Sequence, residues 1–283
     1  FWHDGSVKWA MIDFFIDITS NEKLQLVLTD NFSTEQLSSQ QGQIKLLDNQ
    51  SPLEVNNGLD TFYIETTPGE LLSIATSSKQ GEKLLVNLTD LNNTQYKAVI
   101  DNVCVDINEA TSHRKTLTIN GNFVDIDESV NEKNSGLKFE STLTFFANTS
   151  YIKLDLTLHN PQAAKHPGGV WDLGDEGSIS FKSLSINFPV DSNAPVNLYD
   201  HVSNKKIASG INVSLKQYSS GGENWNSPIH KNAAGNIDIE QNGFTVNSDS
   251  DEYQGMRISP AFSVNNAENT VSVYVEKFWQ NFP

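Results

Sequence analysis

The chain has a single cysteine, Cys104, in 283 residues. That excludes an internal disulfide framework and any zinc site built from several thiolates. It fits a reducing cytosol and equally a bacterial exported protein that avoids cysteine. Positive charge is scarce as well. Nineteen Lys and Arg face thirty-five Asp and Glu, a net charge of −16. That balance argues against general binding to DNA or RNA, which needs basic surface for phosphates. Arginine occurs only twice, as Arg114 and Arg257. No apolar run approaches the roughly 20 residues needed to cross a bilayer, so no membrane span is expected. No stretch holds a convincing 3.6-residue period, so helices should be short and few. Several familiar motifs are missing: the Gly-x-Ser-x-Gly elbow, a phosphate-binding glycine loop and His-Glu-x-x-His.

What is present reads as β throughout. Val7 to Ile18 is apolar and β-branched, interrupted by Asp13 and Asp17. Glu22 to Thr29 alternates, with Leu24, Leu26 and Leu28 on one face. That period of two marks a half-buried strand. It recurs in 60–66, 84–88, 138–146, 151–159, 178–188, 210–216, 237–246 and 270–278. Between these runs lie Asn57-Gly58, Asn120-Gly121, Ser135-Gly136, Ser220-Gly221-Gly222 and Asn242-Gly243. Such pairs supply the positive φ of tight turns. The pattern predicts an all-β protein, a large many-stranded antiparallel β-sandwich. A boundary is expected in the polar, Ser- and Gln-rich stretch 31–43. The sequence opens inside a turn-like motif at Phe1 and stops just after a strand-like run at Pro283, and so reads as a piece of a longer protein.

All five tryptophans sit among Gly, His, Asp and Asn. The first cluster is Trp2-His3-Asp4-Gly5-Ser6-Val7-Lys8-Trp9, a turn with packed tryptophans or a sugar-stacking platform. The second runs from His159-Asn160-Pro161 through His166 to Trp171-Asp172-Leu173-Gly174-Asp175-Glu176 and Ser178. Its glycines would let backbone approach a ligand closely. Asp172, Asp175 and Glu176 are candidate Ca²⁺ ligands, since calcium takes several oxygens; the alternative is an Asp-rich turn before the next strand. The third runs from Tyr218-Ser219-Ser220-Gly221-Gly222 through Asn224 and Trp225 to His230. Asn, Trp and His suit a sugar, with amides bonding hydroxyls and an indole stacking on the C–H face. Arg257, in Gly255-Met256-Arg257-Ile258-Ser259-Pro260, is a candidate for carboxylate recognition or a structural ion pair.

The first cluster resembles the Trp-x-Asp-Gly-Ser-x-Lys/Arg-Trp signature of the exo-rhamnogalacturonan lyase-like proteins. The segments 159–178, 219–230, 255–260 and 278–283 resemble that family's later signatures in the same order, so the resemblance spans essentially the whole chain. The family often has Pro where this chain has His3. The resemblance implies the end of a small N-terminal β-barrel over 1–40, the sandwich over 41–283, and a C-terminal helical toroid beyond. It implies a secreted enzyme, extracellular or periplasmic, that cleaves an acidic polysaccharide such as rhamnogalacturonan by β-elimination; related lyases act on ulvan.

That reaction needs a base for the C5 proton, an acid for the leaving oxygen at C4, and neutralisation of the uronate carboxylate. Arg257 or bound Ca²⁺ would neutralise. His230, His166 or Tyr218 would act as base or acid, the His residues being suited near neutral pH. Trp171, Trp225, Asn224 and Asn160 would hold the sugar. The net charge of −16 opposes an anionic substrate, so a local basic or metal-bearing pocket is required. Two rival readings stand beside it: a carbohydrate-binding sandwich without chemistry, and a structural or adhesive surface protein.

Overall fold

The computed structural model describes residues 44–47, 52–76, 83–105, 113–125, 134–165, 175–191, 193–222, 241–249, 252–265 and 270–280, with positions 3, 4, 6, 16, 23, 25, 27 and 236. Among these the protein is all-β and antiparallel, and its only helical element is one 3-10 turn at Phe278–Gln280. No helix among them is long and apolar enough to cross a membrane. The expected barrel over 1–40, the strands foreseen at 7–18 and 22–29, and the boundary at 31–43 fall outside the described residues, apart from single positions. The division that is visible separates two compact units. Unit 1 is 1–162 with 179–188, and unit 2 is 163–178 with 189–283.

Unit 1 holds β1 (Lys45–Leu47), β2 (Leu53–Asn56), β3 (Thr61–Ile64), β4 (Ser73–Thr76), β5 (Leu84–Asp90) and β6 (Gln95–Val105). It continues with β7 (Arg114–Asp125), β8 (Asn134–Phe146), β9 (Ile152–His159) and β10 (Phe181–Asn187). The strands pair in chain order from β1 to β9, and β10 returns to pair with β5. Several are written by alternation. In β5, Leu84, Val86 and Leu88 are buried while their neighbours are half-buried. In β9, Ile152, Leu154, Leu156 and Leu158 turn toward the core and Lys153, Asp155, Thr157 and His159 toward solvent.

The long sheet folds over on itself. Phe62 of β3 and Phe145 of β8 are far apart in strand order, yet their rings lie 5.4 Å apart. Both belong to one core with Val55, Ile64, Ile119, Phe123, Phe139 and Leu143. Two faces that share such a core make a sandwich.

Asn57-Gly58 forms the β2–β3 turn, with Gly58 at φ +90°. Asn120-Gly121 does not form a turn. It lies inside β7, beside a bulge where the β6 register shifts between Ile100 and Asn102. A Cβ at Gly121 would strike the Val99 carbonyl and lie 2.6 Å from the Phe139 ring. Here glycine answers close packing, not a positive φ.

Unit 2 contains β11 (Val196–Asp200), β12 (Lys205–Gly210), β13 (Ser214–Gln217), β14 (Phe244–Asn247), β15 (Glu252–Gly255), β16 (Pro260–Asn265) and β17 (Thr270–Tyr274). These form two sheets, ordered β12-β11-β16-β17 and β13-β14-β15. Leu198 and Phe262 of the first share a core with Leu215, Phe244 and Val246 of the second, and Ile258 joins them. The run 210–216, legible as one strand, is two strand ends joined at 211–213. Asp249 explains the break, accepting the amides of Ile211 at 2.7 Å and Asn212 at 3.4 Å.

Candidate functional site

In unit 2, three loops interlock at the end of the β13-β14-β15 sheet. The first is 218–222 after β13. The second is the turn 241–243 before β14. The third is 256–259 between β15 and β16. Ser219 ties the first two. Its buried hydroxyl donates to Asn242 Oδ1 at 3.0 Å and accepts the amides of Gly243 at 2.8 Å and Gly221 at 3.3 Å. The Tyr218 amide donates to the Gly243 carbonyl at 2.8 Å. Gln217, also buried, donates through Nε2 to the Ser219 carbonyl and to that of Met256 at 3.4 Å, which joins the third loop.

Glycine makes this approach possible. Gly221 and Gly243 have φ of +66° and +76°. A Cβ on Gly221 would meet the Met256 carbonyl, and one on Gly243 the Gly255 carbonyl. No side chain fits either place.

The third loop is fixed from below by Asp200. Its carboxylate accepts the Ser259 amide at 3.1 Å and the Ser203 amide and hydroxyl at 3.2 Å and 2.5 Å. Burial works against its charge, but those hydrogen bonds outweigh it and hold the Asp200 carboxyl below its ordinary value. The His201 amide donates to the Ser259 carbonyl at 2.8 Å.

Arg257 is thereby presented at an open depression of about 680 Å³. Its lining includes Gly221, Gly222, Asn242, Phe244, Tyr253, Gly255, Met256 and Arg257. Arg257 Nε donates to the Ser220 carbonyl at 2.8 Å. Its guanidinium carbon sits 4.2 Å from the centre of the Trp279 ring. Trp279 is held there by the 3-10 turn, closed by a 2.8 Å bond from the Gln280 amide to the Lys277 carbonyl, while Phe278 packs on the core. The guanidinium is thus oriented on two sides. Among the described residues it pairs with no carboxylate.

The structure therefore brings together described parts of three sequence clusters: 218–222, 255–260 and 278–280. Tyr218 belongs to this loop through its backbone, and its ring lies under Lys216 Nζ at 4.4 Å. Asn160 lies in unit 1, where its side chain accepts the Gln162 amide at 3.0 Å and turns the chain after β9. Asp175 is buried in unit 2. Its carboxylate accepts the Gly177 amide at 2.6 Å and the Lys165 amide at 3.0 Å and 3.1 Å. That closes a loop, the work of a turn carboxylate. Glu176 beside it is exposed. Among the described residues no group of three or more His, Cys, Asp or Glu is placed to hold a metal ion. His166, Trp171, Asp172, Asn224, Trp225 and His230 lie outside the described residues, as do Trp2 and Trp9. In the first cluster Asp4 accepts the Ser6 amide at 2.9 Å and hydroxyl at 2.7 Å, a turn arrangement.

Ser219, Asn242 and the pairing of Trp279 with Arg257 were not foreseen as site features. Ser-Gly-Gly and Asn-Gly were the available signal: two glycine turns that allow loops to pack backbone on backbone. Compared with known proteins, the chain matches no family model and no curated sequence.

Proposed function

We propose that the chain is part of a secreted polysaccharide lyase, extracellular or periplasmic, that cleaves an acidic uronic-acid polymer of the rhamnogalacturonan or ulvan kind by β-elimination. In this reading the Arg257 depression receives the uronate. The observation that carries it is the guanidinium of Arg257, anchored through Nε to Ser220, backed by Trp279 and open to solvent in a chain of net charge −16. An oriented cation at an open, partly aromatic surface suits a carboxylated sugar: charge for the carboxylate, ring for the C–H face.

The chemistry follows from the carboxylate. The C5 proton is too weakly acidic to leave until the adjacent carboxylate charge is offset, and Arg257 supplies that offset. A base takes the C5 proton. Its electron pair forms the C4–C5 double bond, the C4–O bond breaks, and an acid protonates the departing oxygen. His230, with His166 and Tyr218, is assigned to base and acid. A C-terminal helical domain of the same protein would complete the cleft. Calcium is the alternative to Arg257 as neutraliser.

The test uses the intact protein with rhamnogalacturonan and, separately, ulvan, following the ultraviolet absorbance of the unsaturated uronate. A rise with either polymer that survives EDTA and is lost in Arg257→Ala is the expected result. A rise abolished by EDTA and indifferent to Arg257→Ala transfers the role to a metal. The open shape of the depression favours a second reading, a carbohydrate-binding sandwich without chemistry. Retardation in a polymer affinity gel with no absorbance rise would select it.

A further inference from the structure

The guanidinium of Arg257 has one edge and one face already committed. Nε is spent on the Ser220 carbonyl at 2.8 Å, so the side-on approach that pairs Nε with a terminal nitrogen is closed. Trp279 covers one face at 4.2 Å. Among the described residues, an incoming carboxylate is left the end-on approach, one oxygen to each terminal nitrogen. One of those nitrogens, Nη2, lies against Gly222. A Cβ built on Gly222 would stand 3.2 Å from Nη2 and 3.4 Å from Ser220 Oγ.

Gly222 differs from its neighbour. Gly221 sits at φ +66° and a Cβ there would strike the Met256 carbonyl, so its glycine is demanded by the backbone. Gly222 does not have a φ in the left-handed region, and the atoms nearest an added Cβ are side-chain atoms, Nη2 first. Packing alone would admit alanine with a shift of a few tenths of an ångström. Arg257 cannot make that shift freely, because moving away stretches its bond to Ser220 or slides it off Trp279.

We infer that Gly222 is a specificity-determining residue whose missing side chain keeps Nη2 of Arg257 open, so that a planar carboxylate docks end-on. The inference rests on the reading of Arg257 as the uronate-binding group, and it deepens that reading by naming how the acid approaches. Gly222 acts through Arg257 and is in that sense a positioning residue.

The experiment is calorimetric titration of the full chain with a galacturonic acid trimer, with its methyl-esterified form as the uncharged control. Gly222→Ala should weaken the free-acid trimer about tenfold, the scale of one impaired charge-assisted hydrogen bond. Its affinity for the ester should fall by a smaller factor than that for the free acid, so that the preference for acid over ester drops, and its melting temperature should change little. Gly221→Ala, by contrast, should lower the melting temperature. If Arg257→Ala abolishes free-acid binding and Gly222→Ala binds like wild type, the Gly222 inference is wrong and the uronate reading stands. If Arg257→Ala leaves binding intact, or no binding is seen, the reading of the site fails and the inference goes with it.

Discussion

The side-chain amide of Asn57, in the β2–β3 turn, donates to the carbonyl oxygen of Thr149 in the β8–β9 turn at 2.7 Å. The same nitrogen reaches the Phe146 carbonyl at 3.1 Å, and the Asn148 amide donates back to the Asn57 carbonyl at 2.7 Å. Asn57 Oδ1 accepts the amides of Leu59 and Asp60 at 3.0 Å and 2.9 Å. One buried side chain therefore shapes its own turn and clasps a distant one. Asn57→Ala should cost about 2–4 kcal/mol, since several buried backbone groups lose partners together. Asn57→Asp should cost a similar amount, because a carboxylate cannot donate to two carbonyls. Urea unfolding of the two variants measures this, and a loss under about 0.5 kcal/mol for either would refute the clasp.

A second prediction separates two reasons for glycine. Gly69 has φ +88° and open space around its α-carbon, so Gly69→Ala carries only backbone strain, about 1 kcal/mol. Gly121→Ala must push apart the Val99 carbonyl and the Phe139 ring inside the unit 1 core. It should cost more than about 3 kcal/mol or prevent folding. Comparing unfolding midpoints tests the order, and equal costs would show that the bulge relaxes freely.

This contrast shows where the sequence was readable. The alternation Ile152-Leu154-Leu156-Leu158 announces β9 because a two-sided strand leaves a period-two imprint. Asn57-Gly58 announces its turn because the backbone there demands positive φ. Asn120-Gly121 carries the same letters for a different cause, a ring and a carbonyl that arrive from β8 and β6, and local sequence holds no trace of either. The break at 211–213 likewise depends on Asp249, which lies far along the chain. At the site, Arg257 and the 218–222 loop were legible as unusual composition. Their meeting with Trp279 was not, because it is produced by a tertiary turn at 278–280.

Asp249 also yields a pH prediction. The side-chain amide of Asn212 and the backbone amides of Ile211 and Asn212 hold its carboxyl below the ordinary value. A carboxyl depressed in the folded state binds its proton more readily when unfolded. Its stabilisation is then fully present above the unfolded value near 3.9 and is lost as pH falls through the folded value. Asp249→Asn should therefore lower the melting temperature at neutral pH and matter progressively less below about pH 4. Thermal melts of both proteins across that range decide it. A deficit that stays constant down to about pH 2 would exclude an ionic origin.

Trp279 should contribute to acid recognition by holding the guanidinium. An exposed cation–π contact is worth roughly 0.5–1 kcal/mol, so Trp279→Ala should weaken a galacturonic acid trimer by a factor of about 2–5. Trp279→Phe retains a ring and should recover part of that loss. The affinities are measured by calorimetry. Equal binding by wild type and Trp279→Ala would mean that the Ser220 bond alone orients Arg257.

Ser219 is the point at which fold and site can be separated. Its hydroxyl is fully buried and serves Asn242 Oδ1, the Gly243 amide and the Gly221 amide at once. Ser219→Ala removes no apolar packing of note but strands those groups, and should cost about 1–3 kcal/mol in the stability of unit 2. Its effect should not end there. The next residue, Ser220, carries the carbonyl that fixes Arg257 Nε, and Gly222 follows two residues later. Loosening the 218–222 loop should blur the guanidinium's orientation, so affinity for the acidic trimer should fall even well below the melting temperature, where the protein is fully folded. A variant stabilised elsewhere in unit 2 and carrying Ser219→Ala should regain its melting temperature without regaining affinity. Full recovery of affinity with stability would show that Ser219 is structural only, and that the Arg257 site does not depend on the interlocked loops.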